Sequence, residues 1–203
     1  MSQLRGNPRQ YWVALRAMVI FTIALGIIYP LLITAIGLVA PAQANGSLVS
    51  VGGTTVGSSL IGQSFTDKKR KALPQWFQSR PSAAGDGYDA GASGASNQGT
   101  ESETLIKQIK ERRATIARSD GVDPASIPAD ALTASASGLD PQISPSYARQ
   151  QVSRVAAARN LSEAKVTKLV ESAVTSRLLG YIGEPTVNVL ELNIALAQLT
   201  PSD

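Results

Sequence analysis

Hydrophobic and polar positions divide this chain into one unbroken apolar run and a long stretch of short, alternating patterns. From Ala17 to Ala40, AMVIFTIALGIIYPLLITAIGLVA, twenty-four residues carry no charged side chain. As a helix rising about 1.5 Å per residue the run reaches about 36 Å, enough for a hydrocarbon core of about 30 Å. The pattern predicts a short tail over 1–16, one transmembrane helix over 17–40 and a single soluble domain over 41–203.

The soluble part shows helical and strand periods in turn. Residues 41–53, rich in Gly, Ala, Ser and Asn, read as a linker, and TTVGSSLIGQSF at 54–65 as one or two short strands. Trp76-Phe77 before the Arg80-Pro81 step reads as a strand end burying an aromatic pair, the alternative being a partner-docking site, and 83–99 reads as a long irregular loop around Tyr88. From Glu101, Leu105, Ile109 and Ile116 recur on one helical face, with acids early and bases late as the macrodipole prefers. A loop follows over 120–130. Ser144 then caps a helix with Pro145 at its first position and Ala148, Val152 and Val155 as its buried stripe. A second helix starts at Ser162, with Leu161 and Val166 as a hydrophobic staple and Leu169, Val170 and Leu178 on its inner side. Val189, Leu192, Leu196 and Leu199 define a last helix. The fold class is α+β: one N-terminal transmembrane helix, then several helices with a small sheet.

Inside the apolar run, Thr22, Gly26, Pro30, Thr34 and Gly37 recur at spacings of four, four, four and three and share one helix face. Small and weakly polar side chains let helices approach closely in lipid, so this face is the expected partner-helix interface. Pro30 also predicts a kink. In the soluble part the expected fixed turn is Ser137-Gly138-Leu139-Asp140-Pro141. There Gly138 takes a left-handed backbone, Pro141 holds Asp140 extended, and the Asp140 carboxylate serves as a turn-fixing acceptor or a contact point.

Charge gives the sidedness. Arg5, Arg9 and Arg16 precede the run and no acid appears before Asp67, so the tail is the cytoplasmic end and the C-terminal domain lies outside the cytoplasm. Tyr11 and Trp12 suit the interfacial aromatic belt. Ala42-Gln43-Ala44 has the small-x-small form of a signal-peptidase site, but the apolar core is about twice the usual 7 to 15 residues. A retained anchor is therefore expected, with a mature start at Asn45 as the alternative. The formal charge of +4 belongs mostly to the tail, so nothing in the nearly neutral remainder resembles a nucleic-acid-binding face. The basic run Lys68-Lys69-Arg70-Lys71 reads as a solvated loop, the alternative being contact with anionic headgroups or an acidic partner surface.

Cysteine and histidine are both absent, which removes thiolate nucleophiles, imidazole bases, disulfides and the common zinc ligands. Ser162-Glu163-Ala164-Lys165 matches S-x-x-K, yet the companion motifs of penicillin-binding enzymes are missing: there is Ser119-Asp120-Gly121 and no K-T-G. Ser135, Ser137 and Asp140 lack a histidine to complete a triad. A cell-surface hydrolase is thus the weaker alternative. A cation-binding outer domain using Asp86, Asp89, Glu103 and Asp140 is another, though these acids are too dispersed for a ligand cage. No catalytic, cofactor-binding or metal-binding residue is expected.

Several motifs in order carry a resemblance: the N-terminal uncharged helix, Gly57-Ser58-Ser59-Leu60-Ile61-Gly62-Gln63, Trp76 to Ser82, Ser93 to Asn97, Ser135 to Pro141 with Ile143-Ser144, Arg154-Val155-Ala156, and Gly183-Glu184-Pro185 with Val187 to Leu190 and Leu192-Asn193. Together they resemble the C subunit of the bacterial high-affinity potassium-transporting P-type ATPase, with Trp76 where a tyrosine is usual. The resemblance implies a non-catalytic accessory subunit in the bacterial inner membrane that stabilises a complex and, indirectly, raises the ATP affinity of its hydrolytic subunit. It implies three partners: a potassium-channel-like subunit, an ATP-hydrolysing P-type subunit and a small membrane subunit. ATP and potassium would be handled by those partners, with no cofactor bound by this chain.

Overall fold

The computed structural model describes residues 8–199; Arg5 of the basic flank lies outside them. The chain divides into two compact units between Ser47 and Leu48.

The first unit is helical. The run Pro8–Val39 is one candidate membrane span of 32 residues, none buried. Helix formation therefore begins well before the expected Ala17, because Pro8 is pre-set for a first turn and nothing before Ala17 breaks a helix. The span comprises α1 (Pro8–Ile23), a π-helical segment (Ala24–Ile28) and α2 (Tyr29–Val39). The π turn lies directly before Pro30, whose ring would collide with the carbonyl four residues back in a regular helix. The Tyr29 N–H instead reaches five residues back to the Ala24 carbonyl. Thr34 Oγ1 donates to the Pro30 carbonyl at 2.8 Å, so the hydroxyl is satisfied within the helix. A single turn, α3 (Pro41–Ala44), follows where a linker is expected.

The second unit opens with a hairpin of β1 (Leu48–Val51) and β2 (Thr54–Ser58), antiparallel, with an irregularity between Val49 and Ser50. The expected strands over 54–65 thus shrink to β2, and its partner comes from the expected linker. Gly52 and Gly53, at φ +58° and +81°, allow the two-residue turn that closes it. An irregular stretch follows as far as α4 (Glu103–Asp120), capped by Ser102 and ended by Gly121. The expected loop over 120–130 runs at its end into α5 (Ala129–Leu132). Then come β3 (Gln142–Ile143), α6 (Pro145–Gln150), α7 (Val152–Arg159), α8 (Glu163–Ser172), β4 (Val174–Thr175), β5 (Thr186–Asn188) and α9 (Val189–Ala197). The short strands form an antiparallel sheet in the order β3-β5-β4. The α+β class holds.

Helix caps follow the sequence closely. Ser144, Ser162 and Asn188 each accept a backbone N–H in the first turn of α6, α8 and α9. Val155, Val166, Val170, Val187, Leu192 and Leu196 form the centre of the core, and Leu161, the other half of the expected staple, is buried in the same cluster. Leu178 does not join them. Because α8 ends at Ser172 and the chain turns into β4, Leu178 lies on an exposed loop.

Trp76 and Phe77 occupy no strand, contrary to the sequence expectation. Phe77 is fully buried, while Trp76 packs at a tilt on Phe65 and lies under Arg159, whose guanidinium carbon is 4.3 Å from the ring centroid. Buried backbone without a strand ladder needs other partners. Side chains supply them: Asn193 accepts from Phe77 N–H at 2.9 Å and donates to its carbonyl at 3.0 Å. Gln151 serves Gln78 the same way at 2.6 and 3.2 Å, while Arg154 donates to the carbonyls of Pro74 and Trp76. Arg154 is itself paired with Asp120 at 2.8 Å, both side chains nearly buried. Helices α4, α7 and α9 thereby clamp this irregular segment onto the core.

Candidate functional site

The first candidate is the small-residue face of the membrane span. Thr22 and Gly26 are neighbours on it: a Cβ at Gly26 would lie 4.0 Å from the Thr22 methyl and meet nothing else within that distance. Pro30 and Thr34 follow, joined by the Thr34 hydroxyl. Gly37 is different, since a Cβ there would lie 3.4 Å from the Ala44 methyl of α3. Four positions of the face are open, while Gly37 serves contact within its own unit.

The second candidate is the segment Ser137–Pro141, where the chain from Arg80 to Gly94 meets the approach to β3. Gly138 has φ +68°, and a Cβ on it would lie 2.7 Å from Ala84 N and 2.8 Å from the Gly94 carbonyl oxygen. Glycine is required twice over, by backbone angle and by space. Around it the hydrogen bonds converge. The Ser82 hydroxyl donates to the Gly138 carbonyl at 2.6 Å and accepts from Ala84 and Tyr88 N–H; Gly94 N–H and the Ser93 hydroxyl both donate to the Ser137 carbonyl. Gly62 N–H donates to the Leu139 carbonyl at 2.8 Å, and Val189 N–H to the Pro141 carbonyl at 3.0 Å. The Asp140 carboxylate accepts from its own Gln142 N–H and from Arg80 Nη1, the latter at 3.0 Å. Four distant stretches are thus tied to five residues.

Tyr88 completes this hub by donating its hydroxyl to the Arg80 carbonyl at 2.8 Å, and burial pushes its phenol up to about 12. Ser82, Tyr88 and the pairing role of Arg80 were not singled out in the sequence. The signal available was weak, an Arg-Pro step followed by serine, because partners sixty residues away leave no local pattern.

Other sequence candidates are spent on ordinary tasks. Ser162 caps α8, accepting from Lys165 N–H at 3.4 Å. The Ser137 hydroxyl accepts from Leu139 N–H. Asp86 pairs with Arg70, Asp89 accepts from Gly91 N–H, and Glu103 lies in the first turn of α4. Among the described residues no three Asp or Glu side chains gather as a metal site would require. The geometry is that of a tied scaffold with an apolar anchor.

Comparison with known proteins gives the same outline. The sequence profile of the family described as "KdpC: K+-transporting ATPase, c chain" matches residues 11–198. A potassium-transporting ATPase KdpC subunit from Kineococcus radiotolerans is 54% identical over 95% of both chains. Those of Caulobacter vibrioides and Gemmatimonas aurantiaca are 52% identical over 90% of both chains, and 54% identical over 92% of this chain and 93% of the relative. Matched over most of both units, this chain belongs to the KdpC family, the C chain of the potassium-transporting ATPase.

Proposed function

We propose that this chain is the membrane-anchored accessory subunit of an ATP-driven potassium importer, holding the complex together through its helix and acting on transport without chemistry of its own. The observation that carries this is the span Pro8–Val39, which has no buried residue, inside a family named for a transport ATPase. Leaving Met18, Phe21, Ile28, Leu32 and the rest of that surface in water would cost on the order of tens of kcal/mol. Lipid and neighbouring helices remove that cost.

In this account Arg9 and Arg16 hold the N-terminal end in the cytoplasm of the bacterial inner membrane and the Leu48–Asp203 unit lies outside. The face of Thr22, Gly26, Pro30 and Thr34 packs on a channel-like or P-type partner subunit, with a small membrane subunit completing the assembly. ATP and potassium belong to those partners. A domain outside the cytoplasm touches no cytoplasmic nucleotide, so any effect on ATP affinity travels through the helix or the partners as a coupling between distant sites.

Sidedness is directly testable because the chain has no cysteine. With Glu103→Cys on the exposed surface of α4, a membrane-impermeant maleimide should label right-side-out vesicles without lysis. Labelling only after lysis would reverse the orientation.

A further inference from the structure

A cleft of about 440 Å³ opens between residues 64–66, residues 78–82 and α4. Arg70, Arg80 and Arg112 all line it. Arg70 is paired with Asp86 and Arg80 with Asp140, but Arg112 has no carboxylate partner among the described residues. Arg112 Nη1 donates to the neutral carbonyl of Leu132 at 2.8 Å. Arg80 Nη2 reaches the next carbonyl, Thr133, at 3.5 Å. Two guanidinium groups therefore hold successive carbonyls of one segment, and only Arg80 has a carboxylate. With Asp86 and the flanking Asp140 set against the three arginines, the charge of Arg112 is left uncompensated.

The hydrogen-bond accounting points the same way. Arg80 Nε is buried without an acceptor. The nearby hydroxyls of Ser79, Ser82 and Tyr88 donate to the carbonyls of Gln63, Gly138 and Arg80, and none of them accepts from Arg80 Nε. Burial lowers the Arg112 guanidinium from its ordinary value, the direction expected of a cation partly withdrawn from water. A wall with donors in excess and one uncompensated cation favours a ligand that is all acceptor and negatively charged. Planar guanidinium groups bind such ligands through paired N–H bonds.

We propose that this cleft binds a small oxyanion, a phosphate or carboxylate group, with Arg112 as its principal contact and Arg80 beside it. The volume leaves room for part of the molecule or side chain that carries the group. Two sources share this chemistry: a free solute and an acidic side chain of a neighbouring subunit.

The test uses the full-length chain in detergent, its thermal midpoint titrated with sodium phosphate against sodium chloride at matched ionic strength. A saturable rise specific to phosphate is expected. Arg112→Gln should weaken the apparent affinity about tenfold or more, the worth of one charge-assisted contact. Arg112→Lys, which keeps the charge but not the fork, should lose part of it, and Lys107→Gln, on the exposed face of the same helix, none. Repeating the titration on the assembled complex separates the sources. Retained phosphate binding identifies a solute site; binding lost on assembly, with Arg112→Gln also loosening the assembly, identifies a partner carboxylate. No phosphate-specific rise in the wild type, or an equal rise in Arg112→Gln, overturns the proposal.

Discussion

Gly138 and Gly121 share a backbone angle, φ +68°, but not a neighbourhood. A Cβ on Gly121 meets nothing within 4 Å, whereas one on Gly138 meets Ala84 and Gly94 under 3 Å. Gly121→Ala should cost about 1 kcal/mol, the left-handed penalty alone. Gly138→Ala adds displacement of two backbone segments and should cost about 3 kcal/mol. Chemical denaturation of the two variants measures the difference, and equal losses would mean that the hub tolerates the extra atom. Asn193→Ala leaves the Phe77 N–H and carbonyl buried and unpaired and should cost about 2–5 kcal/mol by the same measurement. A loss below about 1 kcal/mol would show that water replaces the amide. Tyr88 gives a pH dependence. Its folded phenol titrates near 12 against an ordinary 10, so above pH 10 the unfolded chain ionises first and stability falls as pH rises towards 12. The contribution is complete below pH 10. Tyr88→Phe should flatten that decline, and an unchanged slope in denaturation midpoints between pH 9.5 and 11.5 would contradict the assignment.

Elements were legible where their causes are local. Ser144 and Ser162 announce their helices because a cap, a first-turn residue and an apolar stripe lie within one heptad, and the last helix was legible from its apolar repeat alone. Elements held by distant partners were not. β1 hides in a glycine-rich stretch because it needs only β2 as a template, and the 74–78 segment looks like a strand end although Gln151, α7 and α9 supply its side-chain hydrogen bonds. The turn at Ser137–Pro141 could be located from Gly138 and Pro141, but not the four stretches it ties together. On the membrane helix the structure sharpens the experiment. Gly37 lies beside Ala44, so a large side chain there meets α3 as well as any partner. Gly26, with only Thr22 beside it, is the clean probe. Gly26→Leu should reduce co-purification of the partner subunits several-fold while leaving the thermal midpoint of the isolated chain unchanged. Undiminished co-purification would remove this face from the interface.

At the scale of the whole molecule, the two units divide the labour. One is an apolar helix with no hydrophobic core of its own, the other a packed α+β unit with a buried ion pair and a side-chain-stitched loop. That division makes the account separable by truncation at Ser47, the boundary between the units. The most direct measurement is potassium-stimulated ATP hydrolysis by the purified complex, assembled with the intact chain, with residues 1–47 alone, or without the chain. The account predicts that residues 1–47 restore assembly and that the intact chain is needed for full affinity for potassium or ATP. A complex that assembles and hydrolyses ATP with unchanged affinities in the complete absence of this chain would contradict it.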